Sequence, residues 1–365
     1  MTDPKLLFTD GEGPLVLTDL ARAAAARIQL EHNGHAVDGR FLFDTISLYN
    51  AYKAETTGPN QPGDTLALLI PHLVTHKIGD DALRSEAAKT QLAPGVKEFL
   101  DLVRRDWEIY VVSSAYNHLW DYVKHKTNLG LTYKEVISSG VKLGGIWLSQ
   151  EAKDKIHRAE QQVLDQETGI LKEIEAFKNG ISVKEIFATG TNLGEVCEIF
   201  DRLYVSELPR LGFIPSHKCD VMNGKRKAEF VSQKALERGI DVSRTAYIGD
   251  SITDDQALKL VREHQGLAIA LNGDEFAIRN ANVAVALEDR RNLKLILDAW
   301  ANFGMEGVNH FVEGQSYQAI GKERNFGQES QGITCQFVTS DNIREIARVH
   351  SVYREKSRKG AVPLI

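Results

Sequence analysis

The chain has little cysteine, no excess of positive charge and no long apolar run, and each shortage closes off a class of protein. Its three cysteines, Cys197, Cys219 and Cys335, lie far apart with no C-x-x-C pair. That spacing supports neither a disulfide framework nor a thiolate zinc site. Lys and Arg number 44 against 50 Asp and Glu, a formal net charge of −6. Binding along a phosphate backbone needs a basic face, so nucleic acid is excluded as a main partner. The apolar runs fall well short of the ~20 residues that span a bilayer. Met1 is followed almost at once by an apolar strand with no leader-like segment, and the expectation is a cytoplasmic protein with no membrane insertion. There is no internal repeat and no low-complexity tract. One histidine pair, His72 and His76, has the spacing that places two ligands on one helix face. It lacks the glutamate of the zinc-protease motif, since Leu73 follows His72, and no third ligand is apparent in the sequence. It reads as a structural or surface pair.

Four short stretches carry chemistry. Lys5-Leu6-Leu7-Phe8-Thr9 delivers Asp10 to the end of a strand, and Gly11 and Gly13 then allow a sharp turn. Glu108-Ile109-Tyr110-Val111-Val112 leads to Ser113 and Ser114. Thr245-Ala246-Tyr247-Ile248-Gly249 leads to Asp250, with Asp254 and Asp255 about one helical turn later. The fourth stretch holds Lys225 and Lys227 after a turn-like Asn223-Gly224. Ligands of open α/β sheets bind at the carboxyl ends of the strands. A carboxylate there can act as a nucleophile toward phosphorus, and magnesium bridging carboxylates and phosphate offsets their repulsion. Ser113 would donate to a phosphate oxygen, with Ser114 as the substitute. Lys227 would neutralise charge in a loose transition state, and the helical run Ala228-Glu229-Phe230-Val231 after it favours it over Lys225. Taken singly, each stretch reads as a strand end, a cap or a solvated lysine. The ordered set points to phosphoryl transfer.

With these motifs the chain resembles the haloacid dehalogenase (HAD) superfamily, and within it the phosphoserine-phosphatase branch. The carrying residues are Asp10-Gly11-Glu12-Gly13, Ser113, Lys227-Ala228-Glu229 and Gly249-Asp250-Ser251-Ile252-Thr253-Asp254. Pro94 to Leu100 and Ala270 to Glu275 resemble two further segments of that branch. The resemblance implies a doubly wound, parallel-sheet, Rossmann-like core with a helical cap. It implies Asp10 as nucleophile and Glu12 as acid/base, with the Glu12 carbonyl also reaching magnesium. Asp250 would ligate the metal, while Asp254 would support the metal or orient Lys227. Asp19 stands at a similar distance from the nucleophile as the branch's lid acid and would read a substrate amino group. One departure is Glu12, where family phosphatases have aspartate. Its extra methylene displaces the carboxyl by about 1 Å, a shift that can cost on the order of a hundredfold in rate. The Asp-Gly-Glu-Gly-Pro run is also similar to superfamily proteins that are accessory subunits of energy-converting hydrogenases.

The chain divides unevenly. Residues 1–15 and 92–300 are expected to form the α/β core, 16–91 an all-helical cap and 301–365 a C-terminal extension. Within the core, a mainly helical insertion is expected at about 117–222. The stretch from Gln150 to Lys178 is charged, and pairs such as Glu151 with Lys155 suit an exposed face, offering a second lid or a homo-oligomer contact. Arg354, Lys356, Arg358 and Lys359 read as a solvated helix face or tail. The expected activity is a magnesium-dependent phosphohydrolase acting on a small phosphorylated metabolite through an aspartyl phosphate. The alternative is a catalytically weak binding or accessory protein on the same fold.

Overall fold

Strand β1 (Leu6–Thr9) is buried along its whole length, and the other strands are arranged around it. In chain order they are β2 (Gln29–His32), β3 (His35–Asp38), β4 (Glu108–Tyr116), β5 (Val136–Val141), β6 (Cys219–Asp220) and β7 (Thr245–Gly249). Then come β8 (Leu267–Leu271), β9 (Val283–Leu287), β10 (Ser316–Ala319), β11 (Lys322–Asn325) and β12 (Ile333–Phe337). The structure, a computed structural model, describes residues 5–56, 60–178, 181–190, 192–314, 316–319, 322–325 and 333–358.

Eight strands form one sheet in the order β12-β9-β8-β7-β1-β4-β5-β6. The six inner strands run parallel, and only the edge strands β6 and β12 are antiparallel to their neighbours. This is the expected α/β class. Successive residues face opposite layers of core. Leu7, Val111, Ile248 and Ile269 point into one layer, whereas Leu6, Phe8, Tyr110, Val112 and Tyr247 point into the other. A sheet covered on both faces needs such unbroken apolar strands. Strand order reverses at β1, which lies between β4 and β7, with Thr9 level with Val111 and Ile248. The crevice of an open α/β sheet lies at such a switch point. Asp10 and Asp250 therefore emerge side by side.

The segment after β1 departs from the all-helical expectation. Its alanine-rich stretch is helical only over Leu20–Ala25, after which β2 and β3 form an antiparallel hairpin. Asn33 and Gly34 at its tip both have positive φ, 51° and 78°, the conformation that an Asn-Gly hairpin turn supplies. Helices Arg40–Thr56, Thr65–Thr75 and Asp80–Ala87 follow.

The second insertion is shorter than 117–222. Helix Asn117–Lys126 packs on the sheet and β5 pairs in parallel with β4, so both belong to the core. The helical body begins at Gln150, and it docks on the first insertion. The Tyr52 and Phe187 rings stack at 4.2 Å between centroids. Asp201 accepts from Tyr49 at 2.8 Å and from Lys53 at 3.0 Å. The charged stretch is two helices, Gln150–Leu164 and Glu167–Lys178, and both bury an apolar side through Ile156, Val163, Ile170 and Ile174. Lys155 bonds Glu207 at 2.7 Å, across to a later turn, rather than Glu151.

The C-terminal region is built onto the core. Helix Leu293–Val312 continues past Asn302 across a break at Gly304 (φ 64°, ψ −154°) and buries Val308 and Phe311. Strand β12 pairs with β9, and helix Ile343–Arg358 packs against β9 and helix Glu275–Asn280. Among the described residues, no helix is long and apolar enough to cross a membrane.

The last helix carries a buried titratable group. The His350 Nδ1 accepts from the Gly273 N–H at 2.9 Å, and burial, with Arg354 adding, holds its pKa down at about 3. The unfolded chain takes up this proton near pH 6.5, the native state only near pH 3. Folded stability therefore falls as pH drops through that window, by up to ~1.4 kcal/mol per pH unit. His350→Asn keeps an acceptor and removes the titration. In denaturant melts between pH 6.5 and 5, wild type should lose stability more steeply than this variant. Parallel slopes would exclude His350 as the cause.

Candidate active site

Main-chain geometry sets the first carboxylate. The Asp10 N–H donates to the Ile248 carbonyl at 2.8 Å, extending the β1–β7 ladder by one rung. Its Oδ1 accepts from the Gly11 N–H at 2.6 Å. The loop then passes so close to its surroundings that side chains do not fit. A Cβ on Gly11 would lie 1.9 Å from the Trp120 ring, and one on Gly13 (φ 93°) would lie 2.1 Å from Asp250 Oδ2. Gly13 thus lets the two acidic loops touch.

Lys227 sits in the first turn of helix Gly224–Arg238, whose N-terminus is capped by Asn223 accepting from Arg226 N. The side chain is fully buried. Its Nζ lies 2.8 Å from Asp254 Oδ1, 3.1 Å from Asp10 Oδ2 and 3.2 Å from Thr253 Oγ1. Three acceptors match the three N–H donors of an ammonium. Burial opposes its charge, yet Asp10 and Asp254 outweigh that and raise its pKa. Asp10 shifts upward too, through burial first and then through Asp254 and Asp250, with Lys227 opposing. Lys225 is exposed and lies near Glu229 at 3.8 Å. The structure therefore brings Lys227, not Lys225, to Asp10.

The carboxylates of Asp10, Asp250 and Asp254 lie within 4.8 Å of one another, all buried. Their donor chemistry fits a hard divalent cation, which takes oxygen ligands from carboxylates. Asp254 has other partners on both oxygens: Tyr247 Oη at 2.7 Å, Lys227 Nζ at 2.8 Å, and the N–H groups of Asp250 and Ser251 at 3.0 and 3.2 Å. These bonds fix Asp254 against Lys227. Asp10 and Asp250 are the two of the three that line the adjoining cavity, where a cation could reach them.

These groups border a cavity of about 810 Å³ between the core and the first insertion. Glu12 and Asp19 both line it, and both also cap helix Leu20–Ala25. Glu12 Oε1 accepts from Leu20 N at 2.8 Å, and Asp19 Oδ1 from Arg22 N at 2.9 Å. Burial, then Asp19, pushes the Glu12 carboxyl well above its ordinary range. The two serines differ from expectation. Strand β4 carries a register shift between Val112 and Tyr116, and Ser113 inside it is fully buried, accepting from Ala115 N at 3.2 Å. Ser114 is the serine that lines the cavity, and its hydroxyl donates to the Met222 carbonyl at 2.9 Å. A bulge shifts which side chain faces the site, and sequence alone does not show one.

Two arginines outside the motifs hold the acidic loops. The sequence places Arg354 on a solvated helix face or tail. Instead its guanidinium donates to the Asp250 and Asn272 carbonyls and lies 3.9 Å from Asp250 Oδ2, at the cavity wall. Arg290 is buried and donates to the carbonyls of Gly13 at 2.9 Å and Pro14 at 2.8 Å, pinning the loop that follows Asp10. Burial lowers its pKa to about 10. Neither has a sequence signal, because each reaches the site through a contact 104 to 277 residues away.

The chain matches no protein-family model and no curated protein. Among solved structures, a gene product from Archaeoglobus fulgidus is similar over 98% of this chain and 99% of its own, with a TM-score of 0.71 at 18% identity. The two share a fold over their full lengths. A phosphoserine phosphatase in a phospho-aspartyl intermediate analogue is similar over 81% of this chain and 99% of its own, with a TM-score of 0.47 at 14% identity. A substrate-bound phosphoserine phosphatase complex follows with 82%, 99%, 0.45 and 14%. At those scores the likeness carries no argument about chemistry here.

The charge arrangement makes a stability prediction. Lys227→Met removes the buried cation between two buried carboxylates and should cost about 3–5 kcal/mol. The exposed Lys225→Met should stay within about 0.5 kcal/mol of wild type. Chemical denaturation in the presence of a chelator measures both, and equal costs would contradict the placement of Lys227.

Proposed function

We propose that this protein is a HAD-type phosphomonoesterase, dependent on magnesium, acting on a small phosphorylated metabolite through an aspartyl phosphate. One observation carries the reading: Lys227 is held by Asp254 against Asp10, beside Asp250, at the ends of adjoining parallel strands that open into a covered cavity. Magnesium held by Asp10 and Asp250, with the Glu12 carbonyl as a further oxygen, would draw charge off the phosphoryl oxygens.

The residues supply the remaining chemistry. An Asp10 oxygen attacks phosphorus and forms the acyl-phosphate bond as the ester P–O bond breaks. Glu12, its pKa raised by burial, gives its proton to the leaving oxygen. In the second half Glu12 takes a proton from water, the water oxygen attacks phosphorus, and the Asp10 carboxylate leaves. Lys227 balances the negative charge shared by nucleophile and phosphoryl group in both halves. The Ser114 hydroxyl, or Ser113 after a shift of the bulge, would donate to a phosphate oxygen. Asp19 and Arg22 line the cavity and would meet the rest of the substrate.

Assay against p-nitrophenyl phosphate and a panel of phosphorylated metabolites, with and without magnesium, tests this. Activity should require the metal and vanish in Asp10→Asn. Lys227→Ala should lower turnover by orders of magnitude while Lys225→Ala has a mild effect. Turnover retained in Asp10→Asn would end the mechanism.

A second reading, a binding or accessory protein with weak turnover, is favoured by one contact. The Glu12 carboxylate is tied to the N-terminus of helix Leu20–Ala25 through Leu20 N. Glu12→Asp distinguishes the two: a large gain in hydrolysis would mean the glutamate restrains turnover, whereas a loss would mean the loop is built for it. A stoichiometric partner in a pull-down, with no hydrolysis across the panel, would support the second reading.

A further inference from the structure

Where the two insertions meet, helix Thr65–Thr75 faces helix Gln150–Leu164, and three imidazoles converge on one carboxylate. Glu160 is 1% exposed, and its partners among the described residues are imidazoles. His72 Nδ1 lies 2.7 Å from Oε1, while His76 Nε2 at 3.0 Å and His157 Nδ1 at 3.1 Å share Oε2. The far nitrogen of His72 meets the Tyr204 hydroxyl at 2.7 Å. Tyr204 belongs to the π-helical turn Asp201–Glu207, a form concentrated at functional sites. The sequence showed His72 and His76 without a third ligand. The fold supplies Glu160 and His157 from 84 residues along the chain.

We propose that His76, His157 and Glu160 bind a divalent transition metal, zinc by preference, that clamps the two insertions together. The three ligand atoms lie within 4.8 Å of one another. The nitrogen–oxygen separations of 3.0 and 3.1 Å are near the ~3.3 Å edge of a tetrahedron with metal bonds of about 2.0–2.1 Å. Two imidazoles and one carboxylate suit zinc rather than magnesium or calcium. A divalent ion also answers a charge problem. A carboxylate this buried needs compensation, and a divalent ion on Glu160 Oε2 would add to what the imidazoles supply. His72 acts as a positioning residue: it holds Glu160 Oε1 from the side away from the metal, and Tyr204 orients its ring. His157 is half exposed, which gives the ion a route in and leaves a fourth position for water. The clamp bears on the proposed catalytic cavity, because Thr65 and Leu66 at the start of the His72 helix line its wall.

The test is zinc titration of chelator-stripped full-length protein in excess magnesium, by calorimetry and metal analysis, with thermal melting alongside. Asp250→Asn serves as the background that disables the Asp10–Asp250 site. Wild type and Asp250→Asn should each hold one zinc at the same affinity and melt at a higher temperature when loaded. His157→Ala, a change at a half-exposed position, should weaken binding more than about a hundredfold, and His72→Ala by about 10–100-fold. Cobalt in place of zinc should show the visible absorption of a four-coordinate ion in wild type and not in His157→Ala. Absence of binding, loss of the zinc in Asp250→Asn, or unchanged affinity in His157→Ala would overturn the site. Unchanged affinity in His72→Ala would overturn its positioning role.

Discussion

Three buried carboxylates within 4.8 Å of one another, with one ammonium among them, set the terms for the rest of this molecule. Such a cluster is unfavourable away from water unless each charge is paired and hydrogen-bonded. The surrounding residues answer that requirement in turn. Asn223 starts a helix where Lys227 can reach inward, and Tyr247 and two backbone N–H groups share Asp254 with it. Gly13 has no side chain because Asp250 occupies the space. Arg290 and Arg354 hold the two acidic loops by their carbonyls, and Arg354 also lies 3.9 Å from the Asp250 carboxylate.

Long insertions make that pocket usable. Neither is an independent appendage: the Tyr52–Phe187 stack, the bonds to Asp201 and the Glu160 cluster join them into one helical body over the strand ends. A cover of that kind excludes water and shapes the cavity for its ligand. The C-terminal region takes the opposite side. By adding β12 to the sheet edge and bringing His350 and Arg354 to the Asn272 and Asp250 loops, it stiffens the acidic side of the site.

Much of the core was legible along the chain. Strands buried on both faces are unbroken apolar runs, so β1, β4, β7, β8 and β9 stand out wherever they fall. Asp10 and Asp250 directly follow apolar strands and Lys227 follows a helix cap, signals that are adjacent in sequence. The Asn33-Gly34 turn carried a hairpin signal too, masked by the alanine-rich run before it. Other features had no local signature. The β4 bulge decides between Ser113 and Ser114. The burial of the Gln150–Lys178 helices depends on partner surfaces on other helices, from Arg40–Thr56 to Asn192–Phe200. His157 and Glu160 became candidate ligands only once their helix lay against His72 and His76.

By itself, then, the sequence determined the α/β class, the order of the motifs and the identity of the acidic and basic groups at the strand ends. These follow from short-range rules: side-chain periodicity, turn residues and helix caps act over a few positions. Tertiary structure alone decided which oxygen of Asp254 meets Lys227, which serine faces the cavity, and that Arg290, Arg354 and Glu160 are central rather than peripheral. Those outcomes are set by through-space distances of a few ångströms between residues up to 277 positions apart, where electrostatics and packing act and sequence proximity does not.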